Sequence, residues 1–158
     1  MPDVPKRYNH VTGAMASIGF DKGRQYWEVG VARKPCYILG VAGETAAKKG
    51  SIRFHPGYQY WTLVLTRNDV LTASDKRKVL VREEGKAKPA TIGVLIDFKK
   101  GEISFYDAGT RAHMYTFSNV NVRSKLFPFM STCEDTEEGS PPLVFNPVVS
   151  ADWLKSKK

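Results

Sequence analysis

The sequence predicts an all-β fold, an antiparallel sandwich of two sheets. Three observations carry this. Short stretches alternate apolar and polar residues with period two, the mark of strands with one face buried. Thirteen glycines and nine prolines fall mainly between those stretches, where turns are needed. Helical periodicity is nearly absent. Eight or more short strands of this kind pack best as two sheets face to face.

The strands follow in order. Gln25 to Val31 places Trp27, Val29 and Val31 on one side. Tyr37 to Ala42 does the same with Leu39 and Val41. Tyr60 to Thr66 aligns Trp61, Leu63 and Leu65. Val79 to Arg82 is a shorter candidate. Thr91 to Phe98 gathers Ile92, Val94, Ile96 and Phe98, and Glu102 to Asp107 adds Ile103 and Phe105. Lys99-Lys100-Gly101 between them predicts a tight hairpin. Met114 to Phe117, Leu126 to Ser131 and Leu143 to Phe145 complete the set. Thr45 to Lys49 is a candidate for one short helical turn. Trp27, Trp61, Phe105 and Phe129 are core by pattern.

The chain has 158 residues, the size of one domain. With 42% hydrophobic residues it can bury a real core. No run of 18 apolar residues occurs, so no helix is expected to cross a membrane. The opening MPDVPKRYNH has no apolar signal region, and Met1 reads as the start of a fragment. Residues 1–12 read as a lead-in, with Tyr8 as its candidate anchor; residues 13–150 are the domain, and 151–158 a basic tail. Cys36 and Cys133 fit no metal spacing. They are expected to be reduced structural thiols, and a cytoplasmic location follows from that.

The net charge is +8. The basic residues are scattered as Lys48-Lys49, Lys76-Arg77-Lys78, Lys86, Lys88, Lys99-Lys100 and the tail. A solvated basic surface explains this, and nucleic acid is not an expected partner, because no dense basic tract forms.

Five blocks resemble the SPRY domain family. Gly23-Arg24-Gln25-Tyr26-Trp27-Glu28-Val29 resembles its SGRHYWEVEV signature, and Ile38-Leu39-Gly40-Val41-Ala42 its DLGVC strand. GYQYWTL, Gly57 to Leu63, is similar to NGYWTL. Ile92 to Tyr106, IGVLIDFKKGEISFY, is similar to VGVFLDYEAGDISFY. Leu126-Phe127-Pro128-Phe129 resembles LYPFF. Their order and spacing agree as well. Pro5-Lys6-Arg7-Tyr8 resembles the NPERF piece that closes the PRY segment, here incomplete. The resemblance points to the tripartite-motif and butyrophilin branch. It implies a bent β-sandwich whose variable loops bind another protein. In tripartite-motif proteins such a domain selects the target for ubiquitination. Any ligase activity would lie in segments outside this chain.

No catalytic centre is expected. His10, His55 and His113 are isolated, and no GxSxG, HExxH or P-loop occurs. His55, in Phe54-His55-Pro56-Gly57, is expected to face solvent. Neither cysteine sits in an activating motif. Glu134-Asp135-Thr136-Glu137-Glu138 lacks the alternating ligands, central glycine and distal Glu of a calcium loop. It reads as a solvated loop. No cofactor and no metal are implied.

The candidate site is therefore a docking surface. If Trp61, Leu63 and Leu65 enter the core, Thr62, Val64 and Thr66 face outward. If Leu39 and Val41 enter it, Ile38, Gly40 and Ala42 face outward. An outward face should be polar unless something covers it, and Ile38 and Val64 make a shallow apolar patch there. The resemblance implies partner contacts at Ile38, Val64, Thr66 and Glu134. Loop residues supply a rim: Phe54, His55 and Tyr58 before the GYQYWTL strand, Arg67 and Asn68 after it, with Asp69 beside them. Arg67 is the candidate hot spot, because its planar fork suits a carboxylate. The large aromatic anchors of the antibody-binding members are absent, and so are the basic residues of the phosphoantigen binder, replaced by Val11, Ile38 and Ser131. Neither ligand is expected. Two readings stand: a protein-recognition module, monomeric as an isolated domain, and a butyrophilin-like sensor of a phosphorylated small molecule or other anion through basic loops.

Overall fold

The computed structural model describes residues 12–15, 19–46, 54–122, 124–132 and 145–147. Eleven strands are found there: β1 (Thr12–Met15), β2 (Arg24–Gly30), β3 (Tyr37–Gly43), β4 (Tyr60–Leu65), β5 (Leu71–Ser74), β6 (Lys78–Arg82), β7 (Thr91–Asp97), β8 (Glu102–Asp107), β9 (Ala112–Phe117), β10 (Leu126–Thr132) and β11 (Phe145–Pro147). They form a six-stranded sheet in the order β1-β10-β3-β4-β5-β6 and a five-stranded sheet in the order β11-β2-β7-β8-β9. Every pairing is antiparallel. Among the described residues no helix is long and apolar enough to cross a membrane.

One core lies between the sheets. Tyr37, Leu39, Val41, Trp61, Leu63 and Leu65 from one sheet join Trp27, Val29, Ile92, Val94, Ile96 and Phe105 from the other. These are the alternate positions that the sequence marks, because successive side chains on a strand point to opposite faces. The predicted hairpin closes β7 onto β8. Gly101 takes φ 68°, where a side chain would be strained, and its N–H donates to Asp97 O at 2.9 Å.

Three findings depart from the sequence reading. β1 and β5 are strands that the pattern did not mark, since a four-residue stretch such as LTAS is too short to display alternation. The helical turn present is a 3-10 turn at Pro56–Tyr58; at Thr45 the described residues form a turn only, and the rest of the Thr45–Lys49 candidate lies outside them. The third concerns the cysteines. Cys36 is disulfide-bonded, so the expectation of reduced thiols fails, and the location inferred from it loses that support. The chain has one other cysteine, Cys133. Tyr37, next to Cys36, stands opposite Thr132 in the β3–β10 register.

Candidate functional site

The outer face of the six-stranded sheet carries a row of side chains in register. Ser131 on β10 stands opposite Ile38 on β3, Ile38 opposite Val64 on β4, Val64 opposite Thr72 on β5, and Thr72 opposite Leu80 on β6. Ile38 and Val64 are half-buried, Thr72 and Ser131 are buried, and Leu80 is 52% exposed. The row thus brings the predicted Ile38 and Val64 together and adds Leu80. The signal for Leu80 was present: Val79 and Val81 pack against the core, which leaves the residue between them outside.

The middle of the same face is closed rather than open. Ala42, Ala46, Tyr60 and Phe129 are buried in a second cluster, with Ile38 and Phe54 packed against it. The Phe54 ring lies 5.0 Å from that of Tyr60 and 5.9 Å from that of Phe129. This corrects two expectations. Phe54 is a half-buried loop residue that packs over apolar rings instead of standing at an open rim. Gly40, Ala42 and Thr62 point outward as the alternation requires, yet all three are buried. Phe129 is core as expected, but of this outer cluster and not of the main one. Gly40 has φ 152°, and a Cβ there would sit 2.1 Å from Trp61 O; only glycine lets β3 approach β4 so closely. The Thr62 hydroxyl has no hydrogen-bond partner among the described residues.

The β4–β5 turn forms one flank of the row. Thr66, just beyond β4, receives a backbone bond from Asp69 N–H at 2.9 Å and donates to Val70 O at 3.0 Å. Arg67 and Asn68 are exposed at its tip. Asp69 has φ 66°, and its carboxylate accepts from Gly85 N–H at 3.0 Å and from Arg82 Nη2 at 2.7 Å. The Gly85 bond first, and the Arg82 guanidinium second, pull the Asp69 carboxyl down to about 2. Arg82 itself is buried because of a β-bulge. Leu80 pairs Thr72, but Arg82 pairs Leu71, so the extra residue, Val81, swings Arg82 to the inner side. Strand alternation alone does not reveal that.

The 3-10 turn forms another flank. His55 caps it, with Nδ1 accepting from Gly57 N–H at 2.9 Å, a common way to satisfy an orphan donor at a helical N-terminus. His55 is half-buried against Tyr58, whose ring is 6.0 Å away. The residue still sits at the surface, with its capping bond exposed. Tyr58 is 51% exposed. Glu134 and Val11 lie outside the described residues.

The profile of the SPRY domain family matches residues 24–140. The chain belongs to the SPRY domain family. The SPRY domain is 36% identical over 146 residues to E3 ubiquitin-protein ligase TRIM69 of Mus musculus, covering 90% of this chain and 28% of that protein. It is 35% identical over 146 residues to Nuclear factor 7, brain, of Xenopus laevis, covering 92% of this chain and 24% of that one. The chain therefore spans about a quarter of the length of these curated relatives. The crystal structure of the TRIM65 PSpry domain superposes with a TM-score of 0.64 at 20% identity, over 80% of this chain and 66% of that one. That likeness speaks for the fold. The family and the all-β sandwich read from the sequence are both shown.

Two polar side chains of β9 are held by neighbours. His113 Nε2 lies 2.6 Å from the Thr116 hydroxyl. Tyr115 donates to Asp75, and burial first, then that carboxylate, pushes the phenol up to about 12. Among the described residues no three His, Cys, Asp or Glu side chains are grouped to hold a metal.

Proposed function

We propose that this SPRY domain is a protein-recognition module and that its partner seats on the outer face of the six-stranded sheet. The row Ile38, Val64 and Leu80 forms the apolar seat. Thr66, Arg67 and Asn68 flank it on the β4–β5 turn, His55 and Tyr58 on the 3-10 turn. Glu134 is the position that the family resemblance adds. The single observation that carries this is Leu80, a large apolar side chain 52% exposed in register with two half-buried ones. An exposed leucine alone is unremarkable; one that stands in register with Val64 and Ile38 across the buried Thr72 is a surface suited to a partner. In the intact protein we infer target selection for a tripartite-motif-type ubiquitin ligase, or recognition in a related innate immune protein, within the cytoplasm.

The test is photocrosslinking in cells that express the full-length parent protein. A photoreactive phenylalanine analogue replaces Leu80, or, as a control, Ser104 on the opposite sheet. Position 80 is expected to capture a discrete protein and to lose it when Val64→Glu is added. Equal capture from position 104, or capture indifferent to Val64→Glu, would place the seat elsewhere.

A further inference from the structure

A pocket of about 360 Å³ opens between the β2–β3 connection and the segment after β6, a volume that suits a small ligand group. Its charged lining residues are all basic: Arg33, Lys34, Arg82 and Lys88. They are not equivalent. Arg82 is committed, since it donates to the Asp69 carboxylate and to the carbonyls of Asp69, Lys86 and Ala87. Lys88 shares Asp69 at 3.5 Å. One carboxylate thus answers two cations. The side chains of Arg33 and Lys34 have no hydrogen bond or ion pair among the described residues.

Two further observations point to a ligand. Tyr37 lines the pocket and is only 4% exposed, yet its hydroxyl has no hydrogen-bond partner among the described residues. The hydroxyl oxygen keeps contact with solvent, so it is free to donate to a group that enters the pocket. Burial holds its pKa above that of a free phenol, so it remains a donor. Arg33 has φ 69° at the turn closed by Lys34 N–H to Val31 O at 3.2 Å. That conformation favours glycine, so a long cation is held there at a cost in backbone strain.

We propose that this pocket receives a carboxylate side chain of an acidic peptide in the partner, with Arg33 and Lys34 supplying charge and Tyr37 donating from the floor. Leu65, Leu71 and Pro89 give the side chain's methylene stem an apolar wall. The excess of cations over anions in the pocket matches an acidic occupant, and the chain's net charge of +8 draws one in. The pocket adjoins the Thr66–Val70 turn through Leu65 and through Asp69, which clamps Arg82. The inference rests on the protein-recognition reading and names the chemistry of one contact.

The test is an NMR titration of the ¹⁵N-labelled chain with two end-blocked hexapeptides, one alternating Glu and Leu, one alternating Gln and Leu, and separately with inorganic phosphate. The Glu peptide is expected to shift amides between Val31 and Tyr37 saturably. The Gln peptide is expected to bind on the order of tenfold more weakly, the loss of a charge-assisted bond. An Arg33→Gly, Lys34→Ser double variant is expected to lose a similar factor while melting no lower than the parent, because glycine suits position 33. Tyr37→Phe is expected to keep the fold and bind several-fold more weakly. Equal affinity for both peptides, affinity unchanged in the double variant, or saturation by phosphate and not by the Glu peptide would each overturn the assignment. Val64→Glu separates this site from the seat on the sheet: it should abolish crosslinking from position 80 and leave the titration intact.

Discussion

The outer faces of the two sheets handle their polar groups differently. On the five-stranded sheet the polar side chains bond to one another. Tyr26 donates to Glu28 at 3.0 Å, and the hydroxyls of Ser104 and Thr116 are 2.9 Å apart. Its apolar residues, Leu95 and Tyr106, are buried with Tyr26 packed over them. On the six-stranded sheet the Thr62 hydroxyl is buried without a partner among the described residues, Phe54 covers the Tyr60 and Phe129 rings, and Leu80 stands in the open. Both sheets contribute buried residues to the main core. The difference is why the proposed seat lies where a face is left incomplete, not where it is most apolar.

Substitutions can break this comparison, and the largest expected effect is at Phe129. It is 0% exposed in the outer cluster, so Phe129→Ala should cost about 3–5 kcal/mol, the range for emptying a buried aromatic site. Denaturant unfolding would measure it. A loss under about 1 kcal/mol would mean that the outer cluster is not a second core.

The next effect is at Asp69, and it depends on pH. Its carboxyl is depressed to about 2 from an ordinary 3.8. A depressed pKa stabilises the fold above the unfolded value, and that stability is lost as pH falls through the folded one. Asp69→Asn should therefore lower the melting temperature at pH 7, where it leaves the buried Arg82 guanidinium without its anion. The gap to the parent should narrow between pH 3.8 and 2. A gap that stays constant across that window would show that the carboxylate charge does not matter.

The smallest effects are a pair with opposite signs. Thr62→Val removes an unsatisfied hydroxyl and should raise stability by about 1 kcal/mol. Ser104→Ala removes one half of a bonded pair and should lower it by about 1 kcal/mol. Equal signs in thermal or chemical unfolding would erase the contrast between the two outer faces.

Much of the candidate site follows from strand alternation. Ile38 and Val64 are outward because their neighbours are inward, and that needs only the period of a strand. Leu80 was available from the same rule, but β6 is short and its partner β5 did not stand out. Phe54 was misplaced because a loop residue has no period to say which way it points. The capping role of His55 was not visible because capping depends on the backbone turn that follows it. Arg82 was invisible because a bulge breaks the alternation by one residue. The oxidised state of Cys36 was missed because the spacing of cysteines in a sequence does not report which segments become neighbours.

The sequence by itself determined the family, the all-β class and the inner face of nearly every long strand. These depend on local period and on ordered motifs, both of which are properties of the chain. Only the tertiary structure decided which part of the outer face is closed by Phe54, where Arg82 is clamped, and which cations remain uncommitted around Tyr37. Those outcomes depend on which strands become neighbours and in what register, and pairing energies between distant segments are not written in any one of them.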